Sequence, residues 1–114
     1  MWMRDPLAIE VSARATTPVG FQLWDDVAGA ALDITGYTLS CAVSRIDGSG
    51  VVATHDVDIT SFLNGEFDIV FDGRQYNYTG MSEVNFSFEV KADDGSGDPV
   101  VVMRGLIVLV PGIA

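Results

Sequence analysis

Read by the alternation of apolar and polar positions, this chain is a succession of strands. Leu7, Ile9 and Val11 alternate with Ala8, Glu10 and Ser12, the pattern of a half-buried strand. Val19, Phe21 and Leu23 repeat it before an acidic, Gly-containing turn over residues 25–29. Tyr37, Leu39, Cys41 and Val43 then face one side, with Thr38, Ser40, Ala42 and Ser44 on the other. Small polar residues on that second face suit a solvated or loosely covered sheet surface. The tetrad Asp47-Gly48-Ser49-Gly50 tolerates positive φ and predicts a reversal, with Val51 to Ile59 as the returning strand. From Glu66 to Asp72, Phe67, Ile69 and Phe71 point inward and the acidic residues outward. Val84 to Lys91 alternates most clearly, and its Phe86 and Phe88 are expected to anchor the core. A second reversal is expected over Asp93 to Asp98, and Val100 to Val110 forms a long last strand.

No segment holds helical periodicity over the roughly ten residues that a helix needs. Seven or eight short strands with regularly spaced turns predict an all-β fold, an immunoglobulin-like antiparallel β-sandwich. The 114 residues suit a single domain, residues 1–114. Cys41 is the sole cysteine, so the paired cysteines of a true immunoglobulin domain are missing. On the apolar side of its strand, that cysteine reads as a small hydrophobe.

The last strand is apolar on both alternating faces, so one face should meet the core and the other a second surface. A covering segment of the same chain and a subunit interface both remain open. The candidate contact residues are Val100, Val102, Leu106, Val108 and Val110, joined by Leu7 and Ile9 of the terminal strand. A positive mean hydropathy alongside a net charge of −10 favours assembly, including a possible homo-oligomer.

Charge also narrows the partners. Sixteen Asp and Glu stand against six Lys and Arg, and no basic run is present. Phosphate binding depends on clustered cations, so neither nucleic acid nor an anionic membrane surface is expected as a partner. Arg4 and Asp5 interrupt the apolar run that a signal peptide requires, so cytoplasmic synthesis without Sec export is expected. The apolar stretch from Pro99 to Val110 is broken by Arg104 and Gly105 and is shorter than the ~20 residues of a spanning helix.

Catalytic chemistry finds little to work with. Triad hydrolysis needs an imidazole flanked by a nucleophile and an orienting group, and His55 is the only histidine. It shares its parity with Val51, Ala53, Val57 and Ile59, which reads as a histidine at the edge of an apolar face. One Cys and one His do not make a zinc site. The paired carboxylates Asp56 with Asp58 and Asp68 with Asp72 fall on outward faces, as solvated charges do. Asp93, Asp94 and Asp98 offer hard oxygen ligands around a glycine turn and are weak calcium candidates, without the ligand register of an EF-hand loop. Trp24, Tyr76 and Tyr78 lie in or beside loops, where they could stack on sugars or pack over the ends of the sandwich. No enzyme activity and no cofactor are expected.

The order of the elements carries a resemblance. The stretch FQLWDDVAGAALDITGYTLSCAVSR (residues 21–45) is followed by GEFDIVF, FSFEVKADDGSGDPV and VVMRGLIVLVPGIA. This succession is similar to an immunoglobulin-like domain of tailed-phage virion proteins, such as the N-terminal domain of baseplate upper proteins. The resemblance runs from about Val19 to the end, and the segment DGRQYNYTGMS is longer and more aromatic than its counterpart in the family. It implies a bacteriophage virion structural protein made in the host cytoplasm. Such a protein would sit in the tail, neck or capsid surface and bind other phage virion proteins. Family members usually continue into a receptor-binding or fibre region, so a docking or covering role is expected here. The alternative is a surface module binding glycan or calcium.

Overall fold

The computed structural model describes residues 8–76, 78 and 80–111. Nine strands follow the alternation: β1 (Ala8–Ser12), β2 (Thr16–Gln22), β3 (Trp24–Asp25), β4 (Ala30–Ala31), β5 (Thr38–Arg45), β6 (Val51–Ser61), β7 (Glu66–Asp72), β8 (Val84–Asp93) and β9 (Val100–Val110). A single 3₁₀ turn, Gly73–Tyr76, follows β7, and no α-helix occurs among the described residues. The fold is an immunoglobulin-like β-sandwich. Its strand order is β1-β9-β8-β5-β6-β7-β2, with β3 and β4 forming a small separate hairpin.

Two departures from a simple antiparallel sandwich matter. First, β1 runs parallel to β9, with Ala8 opposite Leu106 and Ser12 opposite Val110. Nearly the whole chain separates these strands, so no tight hairpin dictates their sense. Second, β6 belongs to both layers. Its first part pairs with β5, Ser40 opposite Asp56 and Val43 opposite Ala53, whereas its second part pairs with β7 from Val57–Ile69 to Ser61–Glu66. The strand thus turns the corner from one sheet to the other, as strands of orthogonally packed sheets do.

The core lies between the layers. Phe21 of β2 stacks on Phe67 of β7 at a ring-centroid distance of 5.3 Å. Phe88 of β8 meets Phe71 at 5.5 Å and Phe21 at 6.2 Å, joining the two sheets through one aromatic cluster. Val11, Val43, Ile69, Val90, Met103, Ile107 and Leu109 fill the remaining space, each at 0% exposure.

Aspartates shape the turns. Asp25, Asp33, Asp47, Asp93 and Asp94 each accept, on Oδ1, the backbone N–H two residues ahead, the geometry of an Asx turn. The hydroxyl of Thr35 and then its amide hold the Asp33 carboxyl below the usual carboxylate range. Ser49 acts in the same way on Asp47, and Ser96 on Asp94. Much of the acidic character of the sequence therefore sits at strand reversals.

Gly73 closes the corner where the chain crosses from β1 to β2. Its N–H donates to Ala15 O at 3.1 Å, and a Cβ there would overlap the Ser12 carbonyl oxygen. Only a residue without a side chain lets the 3₁₀ turn approach the β1–β2 connection this closely. That turn carries Tyr76 inward toward β6.

Candidate functional site

The outer face of β9 is the first candidate. Met103, Ile107 and Leu109 point into the core, while Leu106, Val108 and Val110 on the opposite face are half-buried. In register, Leu106 lies between Ala8 and Ser87, and Val108 between Glu10 and Asn85. Small or polar neighbours leave these apolar side chains standing in a row on the sheet surface. Arg104 on the same face pairs with Glu89, its cross-strand neighbour, at 2.9 Å. At the end of the strand, Val100 is 64% exposed. A register shift between Val90 and Lys91 sets Val100 opposite the buried Ala92, and Val102 packs against the core, so these two do not share the face of Leu106, Val108 and Val110; with Leu32, Ile34, Tyr37 and Ala92 they border a groove of about 220 Å³.

Ile9 does not belong to that face. It sits in the core at 9% exposure, opposite Ile107, because the odd positions of β1 share the inward side with the odd positions of β9. The expectation that Ile9 is a contact residue is therefore corrected. Leu7 lies outside the described residues.

A buried polar pair occupies the corner between the sheets. The core parity of β6 directs His55 inward to 6% exposure, and the 3₁₀ turn brings in Tyr76 at 5%. His55 Nε2 lies 2.9 Å from Tyr76 Oη. The imidazole also meets the edge of Phe71 at 5.3 Å, and Tyr76 packs on Phe86 at 5.3 Å. Burial lowers the pKa of His55, opposed by the charges of Asp72 and Asp56, and burial raises that of Tyr76. Burial favours the neutral imidazole, whose Nε2 is paired with the phenol while one side of the ring borders the groove between β6 and β7.

Cys41 lies opposite His55 on β5 at 2% exposure, and burial pushes its thiol up to about 12. A protonated, buried thiol is a poor nucleophile. The cluster of Cys41, His55 and Tyr76 therefore has the chemistry of a packed core.

Asp93, Asp94 and Asp98 do not converge. Asp93 Oδ1 accepts from Gly95 N and Gly97 N, Asp94 Oδ1 accepts from Ser96 N, and Asp98 N donates to Ser96 Oγ. Among the described residues, no three His, Cys, Asp or Glu side chains form a group that could hold a metal ion. The aromatic platform also disperses: Tyr76 is buried, while Trp24 and Tyr78 are half-buried, Tyr78 donating to Ser82 O.

Sequence reasoning placed His55 on an apolar parity but missed its partner. Tyr76 follows β7 in a turn whose inward direction depends on Gly73, and no local periodicity reports that. It also missed the divided pairing of β6, since alternation runs unbroken through the point where the neighbour changes.

Neither a protein-family profile nor a curated protein matches the chain. Among solved structures, the periplasmic chaperone SfaE superposes with a TM-score of 0.58 at 14% identity, over 93% of this chain. The match covers 54% of SfaE, so the chain spans about half the length of that chaperone. AggA, the major subunit of aggregative adherence fimbriae type I from Escherichia coli, aligns over 94% of this chain and 90% of its own. Its identity is 12% and its TM-score 0.32. The likeness to the chaperone speaks for the sandwich fold.

Proposed function

We propose that this chain is a non-enzymatic structural component of a tailed-phage particle, docking to other virion proteins in a tail, neck or capsid-surface position. The observation that carries the reading is the outward apolar row of β9, Leu106, Val108 and Val110, on a sheet whose inward face is already filled by core residues. A row of this kind on one strand suits contact with another protein surface. The resemblance of its element order to phage virion domains supports this setting, and the fold likeness to a chaperone is in keeping with work through protein contacts.

The test is Val108→Asp. Val108 faces outward between Glu10 and Asn85, so the variant should retain its circular-dichroism spectrum. It should lose incorporation into particles, or self-association measured by light scattering. Intact folding together with intact incorporation and association would remove the β9 face from the proposal.

A further inference from the structure

A further surface feature lies away from β9, at the corner where β6 changes partner. Pairing of β6 with β7 ends at Val57–Ile69. Upstream of that pair, residues 51–56 of β6 have β5 on one side and no strand on the other. Downstream of Ile69, Val70, Phe71 and Asp72 pair with Pro18, Thr17 and Thr16 of β2 and likewise have no strand toward β6. The strands diverge, and the opening is a groove of about 520 Å³ bordered by Thr54 to Asp56 of β6, by Val70 and Asp72 of β7, by Thr16 and Pro18 of β2 and by Gln75 of the 3₁₀ turn. An edge strand presents the N–H and C=O groups of alternate residues to whatever lies beside it. No backbone bond from residues 51–56 crosses the opening among the described residues. The edge of β2, by contrast, contains Pro18, which has no N–H to donate.

The walls of this opening determine what can enter. Asp56 and Asp58 of β6, and Asp68 and Asp72 of β7, line it. Asp72 is paired with Arg74 at 2.8 Å. Asp58 and Asp68 stand directly opposite each other in the ladder, a like-charge arrangement that disfavours the pair until a cation comes between them. A second copy of this chain would bring a net charge of −10 to the same place. Electrostatic complementarity selects the opposite sign.

The geometry points to β6 residues 51–56 as an acceptor edge for an extended, basic segment of a partner protein. That segment adds a strand beside β6 and sets Lys or Arg side chains against Asp56, Asp58 and Asp68. Main-chain bonds supply the docking, and the aspartates supply selectivity, the division of labour seen in strand addition generally. The edge is separate from the β9 face, so the loss of one contact leaves the other testable.

The probe is an acetylated, amidated heptapeptide alternating Lys and Thr, titrated into the full chain at low salt with amide hydrogen exchange as the structural readout. Saturable binding is expected, with slowed exchange within residues 51–56. The double variant Asp58→Asn/Asp68→Asn, which removes two exposed charges and keeps the fold, should bind about three- to tenfold more weakly. High salt should weaken binding of the wild type more than that of the variant. Three results would overturn the inference: no saturable binding, equal binding of the peptide with Glu in place of Lys, or protection elsewhere than residues 51–56. Concentration-dependent self-association that protects residues 51–56 without peptide would assign the edge to a second copy instead. Val108→Asp should bind the peptide as the wild type does, which separates failure here from failure of the β9 reading.

Discussion

Replacing Tyr76 with Phe isolates a buried side-chain contact at the corner between the sheets. The ring keeps its packing on Phe86, and only the hydroxyl 2.9 Å from His55 Nε2 is lost. At 6% exposure His55 gains little from water, so its nitrogen is left without a partner. Leaving a buried donor or acceptor unpaired costs about 1–3 kcal/mol. For a domain of this size that lowers the melting midpoint by about 4–12 °C. His55→Phe should cost a similar amount by orphaning the phenol, whereas the double variant should cost less than the sum by about 1–3 kcal/mol, because both partners are then apolar. The pH dependence supplies an independent check. Burial lowers the folded-state pKa of His55 below the 6.5 of the unfolded chain, so below that pH the unfolded state binds more protons. This contribution to stability is present above 6.5 and is lost as pH falls from 6.5 through the folded pKa. Urea denaturation between pH 7.5 and about pH 5 should show a decline in wild type that His55→Phe lacks. A Tyr76→Phe variant as stable as wild type, together with an unchanged pH profile in His55→Phe, would refute the role assigned to the pair.

Two further perturbations test the frame around it. Gly73→Ala places a methyl group against the Ser12 carbonyl and forces the backbone apart, so a loss near the upper end of about 1–3 kcal/mol is expected by chemical denaturation. A neutral Gly73→Ala would mean that the Ser12 carbonyl and the 3₁₀ turn can move apart at little cost. Phe88→Ala removes the ring that joins the two sheets and should cost about 3–5 kcal/mol, enough to populate unfolded chain in a melt of the purified protein. A cost below about 1 kcal/mol would show that the cluster repacks without it.

Most of the strand layout was legible because alternation is a local property. β7 occupies the stretch from Glu66 to Asp72 and β9 that from Val100 to Val110, both where the pattern placed them. The inward set Phe67, Ile69 and Phe71 is fully buried, and the aspartates of the turns bond to backbone amides two residues on. Ile9 was misjudged because the terminal position of its strand suggested a contact surface, although it shares the apolar parity of Val11. Its inward direction follows from pairing with Ile107, nearly a hundred positions away. Tyr76 read as a loop aromatic because nothing near it in sequence alternates, yet the 3₁₀ turn carries it under β6.

The sequence by itself determined which residues form strands, which side of most strands is apolar and where the chain reverses. Each of these depends on neighbours within a few positions, on the two-residue repeat of a pleated strand and on the turn chemistry of Asp and Gly. Only the tertiary structure decided that β1 lies parallel to β9, that β6 serves two sheets and has no strand beside residues 51–56 on one side, and that His55 meets Tyr76. These features arise from contacts between segments far apart in sequence. They are set by how two twisted layers close over one aromatic core, which no local pattern encodes.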